Sequence, residues 1–374
     1  MTLQQSRPST RGRLPADLFH AVPRALFLPD LIWAWDMDTG TSHSIDRREH
    51  PDAWRAAAES NMPIVTQWDD GQHHGTQPGN VATSSASMPS VVDGMLADLD
   101  ARPGMTVLEI GTGTGWNAAL LAHQLGDHAV TSIEVDPTIA AAANRALHQA
   151  GYRPTVITGD GTRGHADRAP YDRIIVTAGL RRLPAALIEQ TRNGGIILAP
   201  WGTPFGDQDA LVQLTVHGDG TASGPFLRPV EFMKVRSQRD GRPQPHIDFT
   251  SATTSTTRGL PLDPWQPFLF AAGLRLSDMT HATDRRGTDT AVWLYSLTDH
   301  SWAATVRSDT GDESPVYQNG HRRLWDELET AHTWWQEQGS PGIERFGLAI
   351  DDTGQQVWLD EPGNTVQNEQ ANQP

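Results

Sequence analysis

Between Val107 and Gly115 the chain reads Val-Leu-Glu-Ile-Gly-Thr-Gly-Thr-Gly, a short apolar strand that ends in three alternating glycines and opens into a helix. Glycines at such a turn let a ligand lie against the backbone, and the helix N-terminus beyond them offers unpaired N–H donors. Glu134 ends the next apolar run, about twenty residues on. A carboxylate at that spacing accepts hydrogen bonds from ribose hydroxyls. Together the two features point to a nucleoside-containing cofactor held by an open α/β sheet.

The elements that must position these residues follow from apolar patterning. Ser90–Leu99 reads as a helix, with Val91, Val92, Met95, Leu96 and Leu99 on one side. Strands are expected at Thr106–Ile110, Ala129–Val135, Pro154–Thr158, Tyr171–Thr177 and, after a turn at Gly194-Gly195, Ile196–Pro200. Helices are expected at Asn117–Leu125, at Asp136 to about Gly151 (Asp as N-cap, Pro137 at N1), and at Leu183–Thr191. Strands alternating with helices predict a doubly wound, Rossmann-like α/β fold with a mostly parallel sheet. Leu211–Val216 and Pro229–Val235 are candidate late strands.

Around this core, residues 1–16 and the tail from 363 read as disordered. Asp36 to Asn80 reads as polar and irregular, with one apolar stretch at Pro63-Ile64-Val65, and 237–258, rich in Thr and Ser, as a linker. The domain with the glycine loop then spans 17–236. A smaller α+β accessory domain spans 259–362, with strands at Thr290–Leu297 and Trp302–Val306, a helix through Leu324, Leu328, Ala331 and Trp335, and a hairpin from Phe346 to Leu359 turning at Asp351–Gly354.

Composition excludes several chemistries. The 374 residues contain no Cys, which removes disulfides, thiolate nucleophiles and thiolate zinc sites. The net charge of -16 argues against a general nucleic-acid binder. Lys234 is the single candidate for Schiff-base chemistry. His73-His74 lacks a second ligand pair and is expected in an exposed loop, so no metal is expected. Arg181-Arg182 reads as a solvated loop, and Trp116 as packing near the ligand. No apolar run is long enough to cross a bilayer, and a cytoplasmic protein without membrane contact is the expectation.

The G-x-G-x-G spacing, with Gly159-Asp160-Gly161-Thr162-Arg163-Gly164 and Tyr171-Asp172-Arg173-Ile174-Ile175-Val176 downstream, resembles the class I S-adenosylmethionine-dependent methyltransferases. Within them the chain is similar to the protein-L-isoaspartate O-methyltransferase family. The carrying residues, over about 18 to 236, are Ala21-Val22-Pro23-Arg24, Phe27-Leu28-Pro29, Val81-Ala82-Thr83-Ser84-Ser85, Val107–Ala118, Gly159–Gly164 and Gly194–Pro200. The resemblance implies S-adenosyl-L-methionine as cofactor and S-adenosyl-L-homocysteine as product. It implies a cofactor site from Gly79, Asn80, Val81, Ala82, Glu109, Gly111, Thr112, Gly113, Glu134, Val135, Asp160, Gly161 and Thr177. It places Ser85, with Thr83, beside the methyl-accepting carboxylate; as plain structure, Ser85 would instead cap the Ser90 helix. Ser87 and Met88 to Ser90 depart from the family, which usually has Pro two residues after that Ser and often His a little later.

Arg322–Glu327, Trp334-Trp335, Glu344–Leu348 and Val357–Leu359 resemble the C-terminal extension of members encoded with peptide-maturation systems, the graspetide and lanthipeptide tailoring (RiPP) methyltransferases. That resemblance implies O-methylation of an aspartyl side chain in a ribosomally made, modified peptide, a macrocyclised precursor, leading to aspartimide (succinimide) or isoaspartate. On this reading the second domain lies outside the repair enzyme and binds the precursor. The alternative is a general repair enzyme acting on L-isoaspartyl residues.

Overall fold

The computed structural model describes residues 17–36, 39–239, 241, 247–308 and 313–366. The expected disorder at 1–16, and that of the tail beyond 366, lie outside the described residues.

The chain divides into two compact units. The first comprises residues 1–178, 184–199 and 213–222; the second comprises 179–183, 200–212 and 223–374. The expected boundary at 237 therefore falls inside the second unit.

The first unit opens with α1 (Leu18–Ala21), β1 (Leu31–Asp36), β2 (Thr41–Asp46), α2 (Pro51–Glu59), β3 (Ile64–Trp68) and β4 (Ala82–Ala86). The four strands form an antiparallel sheet in the order β2-β1-β3-β4. Its core is small: Leu28, Ile32, Ala34, Ile45, Trp54, Ala57, Ala58, Ile64 and Ala86. This corrects the reading of 36–80 as irregular. In β2 only Ile45 is buried, so the strand carries no alternating apolar signal.

Arg24 holds this region together. It is 4% exposed and donates to five carbonyls: Ala57 (3.0 Å), Ala58 (3.0 Å), Ser60 (2.8 Å), Met62 (2.8 Å) and Ser87 (3.1 Å). Three of these lie at the C-terminal end of α2, where the helix dipole is negative. Burial lowers the Arg24 pKa to about 10, so the guanidinium stays charged at neutral pH.

The first unit continues through α3 (Pro89–Leu99), β5 (Val107–Ile110), α4 (Trp116–Leu125), β6 (Val130–Glu134), α5 (Pro137–Gln149), β7 (Thr155–Thr158), β8 (Tyr171–Val176), α6 (Ala185–Glu189) and β9 (Thr191–Trp201), the last two residues of which belong to the second unit. The strands lie side by side as β9-β8-β5-β6-β7, all parallel. This is the doubly wound order with β5 central. Val107 and Leu108 in β5, Val130 in β6 and Ile174 to Val176 in β8 are fully buried, as strands covered on both faces must be.

Two expectations are corrected here. The helix over 183–191 shrinks to Ala185–Glu189, because Pro184 sets its N-cap and Thr191 already belongs to β9. Gly194-Gly195 does not turn into a strand. It lies within β9, where the register against β8 jumps from Tyr171–Thr191 to Arg173–Ile196 and absorbs the extra residues.

The second unit contains β10 (Gln208–Val216) and β11 (Ala222–Glu231), apart from 213–216 and 222, then β12 (Thr253–Thr257), α7 (Pro267–Arg275), β13 (Met279–Arg286), β14 (Asp289–Ser296), β15 (Trp302–Ser308), β16 (Ser314–Asn319), α8 (Leu324–Glu337), β17 (Phe346–Asp351) and β18 (Gly354–Leu359). Its own five-stranded sheet runs β12-β16-β15-β14-β13, and β17 and β18 form the expected hairpin beside β11 and β10. A core of Phe268, Leu294, Trp325 and Leu328, with others, packs this sheet against α7 and α8. Part of the expected linker is thus ordered: Thr253–Thr257 is an edge strand paired with β16. Residues 240 and 242–246 of that linker lie outside the described residues.

Arg181 is not in a solvated loop. It pairs with Asp209 at 3.4 Å and donates to the Gly206 carbonyl at 3.2 Å. Lys234 donates to the same carboxylate at 2.8 Å and to the Asp207 and Phe232 carbonyls. Asp209 is fully buried, and burial pushes its pKa up to about 6 against the pull of Lys234 and Arg181. The lysine is a structural ion-pair partner.

Candidate active site

The cofactor-loop residues gather where the parallel strands end. Gly111, Gly113 and Gly115 all have left-handed backbones (φ 97°, 53° and 90°), which glycine adopts without strain. A Cβ on Gly111 would lie 2.7 Å from Thr177 Oγ1. That hydroxyl donates to the Gly111 carbonyl at 2.6 Å and the Ile110 carbonyl at 3.1 Å, so the end of β8 is tied to the loop. Gly161 packs as closely, its missing Cβ falling 2.4 Å from Ile110 Cγ2. Asp160 accepts from Thr162 N (2.9 Å) and Oγ1 (2.7 Å), and Gly159 N donates to the Glu134 carbonyl at 2.9 Å.

Glu134 is 7% exposed. Its carboxylate accepts from Gly113 N at 2.9 Å and Asp136 N at 3.1 Å. Each oxygen retains a further lone pair for a ligand hydroxyl. Asp136 caps α5 through Thr138 N (2.8 Å) and Ile139 N (3.3 Å), as its position before Pro137 requires.

Glu109 lies behind the loop. It is fully buried, and its carboxylate accepts from Ser132 Oγ and from Asn117 Nδ2 at 2.7 Å; Ser132 Oγ in turn meets Thr112 Oγ1 at 2.6 Å. Glu109 and Thr112 therefore brace the loop from below. Burial raises the Glu109 pKa to about 7, with the Glu134 charge adding to it and the two hydrogen bonds opposing it. From pH ~4.5 to ~7 the folded protein keeps a proton that the unfolded chain has lost, so stability falls as pH rises through this window. In Glu109→Gln this dependence disappears. Thermal melts at pH 5 and pH 8 will show the wild type losing roughly 4 °C or more relative to the variant.

The acceptor side is built by β3 and β4. Gly113 faces Ser85: a Cβ there would sit 3.6 Å from the Ser85 carbonyl and 4.0 Å from Ser84 Oγ. Thr83 Oγ1 donates to Gln67 Oε1 at 2.7 Å, and Gln67 Nε2 donates to Asp136 at 3.1 Å. A continuous chain, Thr83–Gln67–Asp136–Glu134–Gly113, thus couples the strand carrying Ser85 to the glycine loop. Ser85 does not cap the following helix: α3 begins after Met88 with no side-chain cap, and Ser90 N donates to Asn61.

The 79–82 stretch is fixed by Asp69, whose carboxylate accepts from Asn80 N (3.0 Å) and Val81 N (2.7 Å). These amides hold the Asp69 pKa below the usual carboxylate range. A side chain on Gly79 would overlap Asp69 and Trp68. Asp69 and Asp70 both have left-handed backbones (φ 50° and 52°), a strained corner that this hydrogen bonding maintains.

Trp116 packs as expected: its Nε1 donates to the Val22 carbonyl at 2.9 Å, and its ring lies against Phe19. His73 meets the Gln77 carbonyl at 2.7 Å. Among the described residues no cluster of His, Asp and Glu could hold a metal ion. Sequence reasoning missed Arg24's role, Gln67 and Asp69. Their partners lie 11 to 69 residues away, a separation that no local pattern marks.

The site fits S-adenosylmethionine. Amides at an uncapped helix start, a buried acid with spare lone pairs, and the exposed apolar side chains Val81 (50%) and Val135 (43%) suit its charged, ribosyl and adenine parts respectively. Fold and site together define a class I methyltransferase that uses this cofactor.

A family model for protein-L-isoaspartate(D-aspartate) O-methyltransferase matches residues 43–240. The chain belongs to that family, and is a carboxyl O-methyltransferase. It is 47% identical over 157 residues to the protein-L-isoaspartate O-methyltransferase of Pyrococcus horikoshii, covering 39% of this chain and 70% of that one. It is 44% identical over 140 residues to the enzyme of that name from Thermococcus sibiricus, covering 37% and 63%. A solved structure titled protein-L-isoaspartate O-methyltransferase has the same fold over 93% of this chain and 96% of its own, at TM-score 0.51 and 20% identity. That likeness extends well past residue 240.

No helix among the described residues is long and apolar enough to cross a membrane.

Proposed function

We propose that this protein methylates the free α-carboxylate of L-isoaspartyl residues in polypeptides. The observation that carries the reading is the apposition of Ser84-Ser85 to Gly113 over Glu134. The sequence relatives, which carry the isoaspartate name, support this substrate ahead of an aspartyl residue in a tailored peptide.

The cofactor supplies an activated methyl group on a sulfonium. The acceptor carboxylate is ionised at neutral pH, with a pKa near 3.3–3.9, so the protein need supply no general base. Its task is alignment and exclusion of water. The Ser85 hydroxyl would donate to one oxygen of the acceptor carboxylate and so help to orient it. Thr83, held by Gln67, fixes the strand that presents it. After release, the next backbone amide nitrogen attacks the ester carbonyl; a C–N bond forms, methanol leaves, and a succinimide remains.

Ser85→Ala removes one hydrogen bond to an ionised carboxylate, worth about 1.5 kcal/mol. The expected result is roughly a tenfold lower kcat with S-adenosylhomocysteine affinity unchanged. An unaltered kcat would remove Ser85 from the mechanism.

A second reading, methylation of an aspartyl side chain in a modified ribosomal peptide, is favoured by one observation. Ser87 stands where the family usually has Pro, Met88 to Ser90 where it often has His, and Arg24 grips the Ser87 carbonyl. Matched isoaspartyl, aspartyl and macrocyclised aspartyl peptides separate the two. Methyl gain followed by methanol loss on linear isoaspartyl peptides of mixed sequence supports repair; methyl gain confined to one cyclised aspartyl peptide supports tailoring.

A further inference from the structure

The β3–β4 pair is irregular where it meets the glycine loop. Val65 pairs with Ser85 and Gln67 with Ser84, so Thr66 is skipped; on the other strand Thr83 is skipped between Ser84 and Ala82. An unpaired residue in a ladder breaks the regular alternation of side chains, and such bulges recur beside active sites because they re-aim a side chain. Both skipped residues are threonines, and each donates across the pair. Thr83 Oγ1 donates to Gln67 Oε1 at 2.7 Å, the bond already placed in the chain that ends at Gly113. Thr66 Oγ1 donates to Ser84 Oγ at 3.2 Å, a bond with no part in that chain.

Ser84 is 7% exposed. A hydroxyl has one proton and two lone pairs, and the bond from Thr66 uses a lone pair. Among the described residues the Ser84 proton has no acceptor, and a buried donor left unused costs free energy. Its oxygen also meets the loop: a Cβ on Gly113 would come to 4.0 Å from Ser84 Oγ, whereas Ser85 approaches the same point through its carbonyl, at 3.6 Å. Gly113 N is already given to Glu134. Just beyond it α4 starts at Trp116 with no side-chain cap, so its first amides are donors without an intrahelical acceptor.

The groups on this side of the loop are therefore donors, and donors select an anion. Of the polar groups of S-adenosylmethionine, the sulfonium and the ammonium are cations, and the ribose hydroxyls suit the spare lone pairs of Glu134. The amino-acid carboxylate is the one anion, and it needs several donors. We propose that Ser84 binds this carboxylate together with the first amides of α4, with Thr66 holding the serine oxygen so that its proton is left for the ligand. The assignment concerns the cofactor and is independent of which carboxylate is methylated.

The test compares two probes by calorimetric titration into the full chain: S-adenosylhomocysteine, and decarboxylated S-adenosylhomocysteine, which has hydrogen in place of the carboxylate. The wild type is expected to bind the first roughly tenfold tighter or more. Ser84→Ala should weaken S-adenosylhomocysteine at least fivefold and leave the decarboxylated compound within twofold of its wild-type affinity. Ser84→Cys keeps the shape of the side chain and weakens the donor, so it gives the same pattern even if the alanine variant does not fold. Ser85→Ala should change neither affinity. Equal wild-type affinity for the two probes overturns the carboxylate assignment. Losses of the same size on both probes, wild-type affinity in Ser84→Cys, or the selective loss appearing in Ser85→Ala overturns the role of Ser84. Failure to methylate any isoaspartyl peptide would refute the proposed function and leave this assignment standing.

Discussion

Gly111→Ala will abolish useful cofactor binding, weakening S-adenosylhomocysteine at least 100-fold in a calorimetric titration. Two costs add. The backbone at φ 97° is left-handed, which penalises any Cβ by roughly 1–2 kcal/mol. The new methyl would also stand 2.7 Å from Thr177 Oγ1, the hydroxyl that joins β8 to the loop through the Ile110 and Gly111 carbonyls. Either the hydroxyl or the loop must move, and the loop is what presents Gly113 N to Glu134. Gly151→Ala is the matched control. Its φ is 92° and nothing lies within 4 Å of the added carbon, so it carries the backbone cost alone. Its cofactor affinity is expected to be that of the wild type. Equal losses in both variants would mean that backbone strain elsewhere in the unit suffices and that the loop has no special role.

Arg24→Ala carries the largest expected effect on stability, a loss of about 3–5 kcal/mol. The substitution leaves the carbonyls of Ala57, Ala58, Ser60, Met62 and Ser87 without their common donor in a nearly closed interior. It also removes a cation from the negative end of α2 and from the Trp116 ring, 5.8 Å away. Arg24→Lys will recover only part of the loss, because one ammonium has three donors and cannot reach five carbonyls. Urea unfolding measures both. A wild-type midpoint in the alanine variant would show that the carbonyls find water at no cost.

The site's cofactor half was legible because its signals are local. Gly111 to Gly115 must bend, Glu134 ends a strand at the ribose spacing, and Asp136-Pro137 starts a helix; each is readable within a few residues. Other parts of the chain were less so. Thr41–Asp46 buries only Ile45, and Thr253–Thr257 buries only Thr257, so both strands exist through pairing with distant partners and not through their own pattern. Pro267–Arg275 buries seven of its residues, Phe268 to Leu274 without a break, and a helix buried all round has no apolar stripe to detect. Arg181 looked like solvent-facing charge until Asp209, 28 residues away, was found buried beside it.

The account's central claim is that the glycine bend over Glu134 holds S-adenosylmethionine for transfer. Calorimetric titration of S-adenosylhomocysteine into the wild type and Glu134→Ala tests it most directly. The expected result is one molecule bound per wild-type chain, and affinity at least tenfold lower once the carboxylate is gone. Absence of binding to the wild type, or equal affinity in the two proteins, would contradict it.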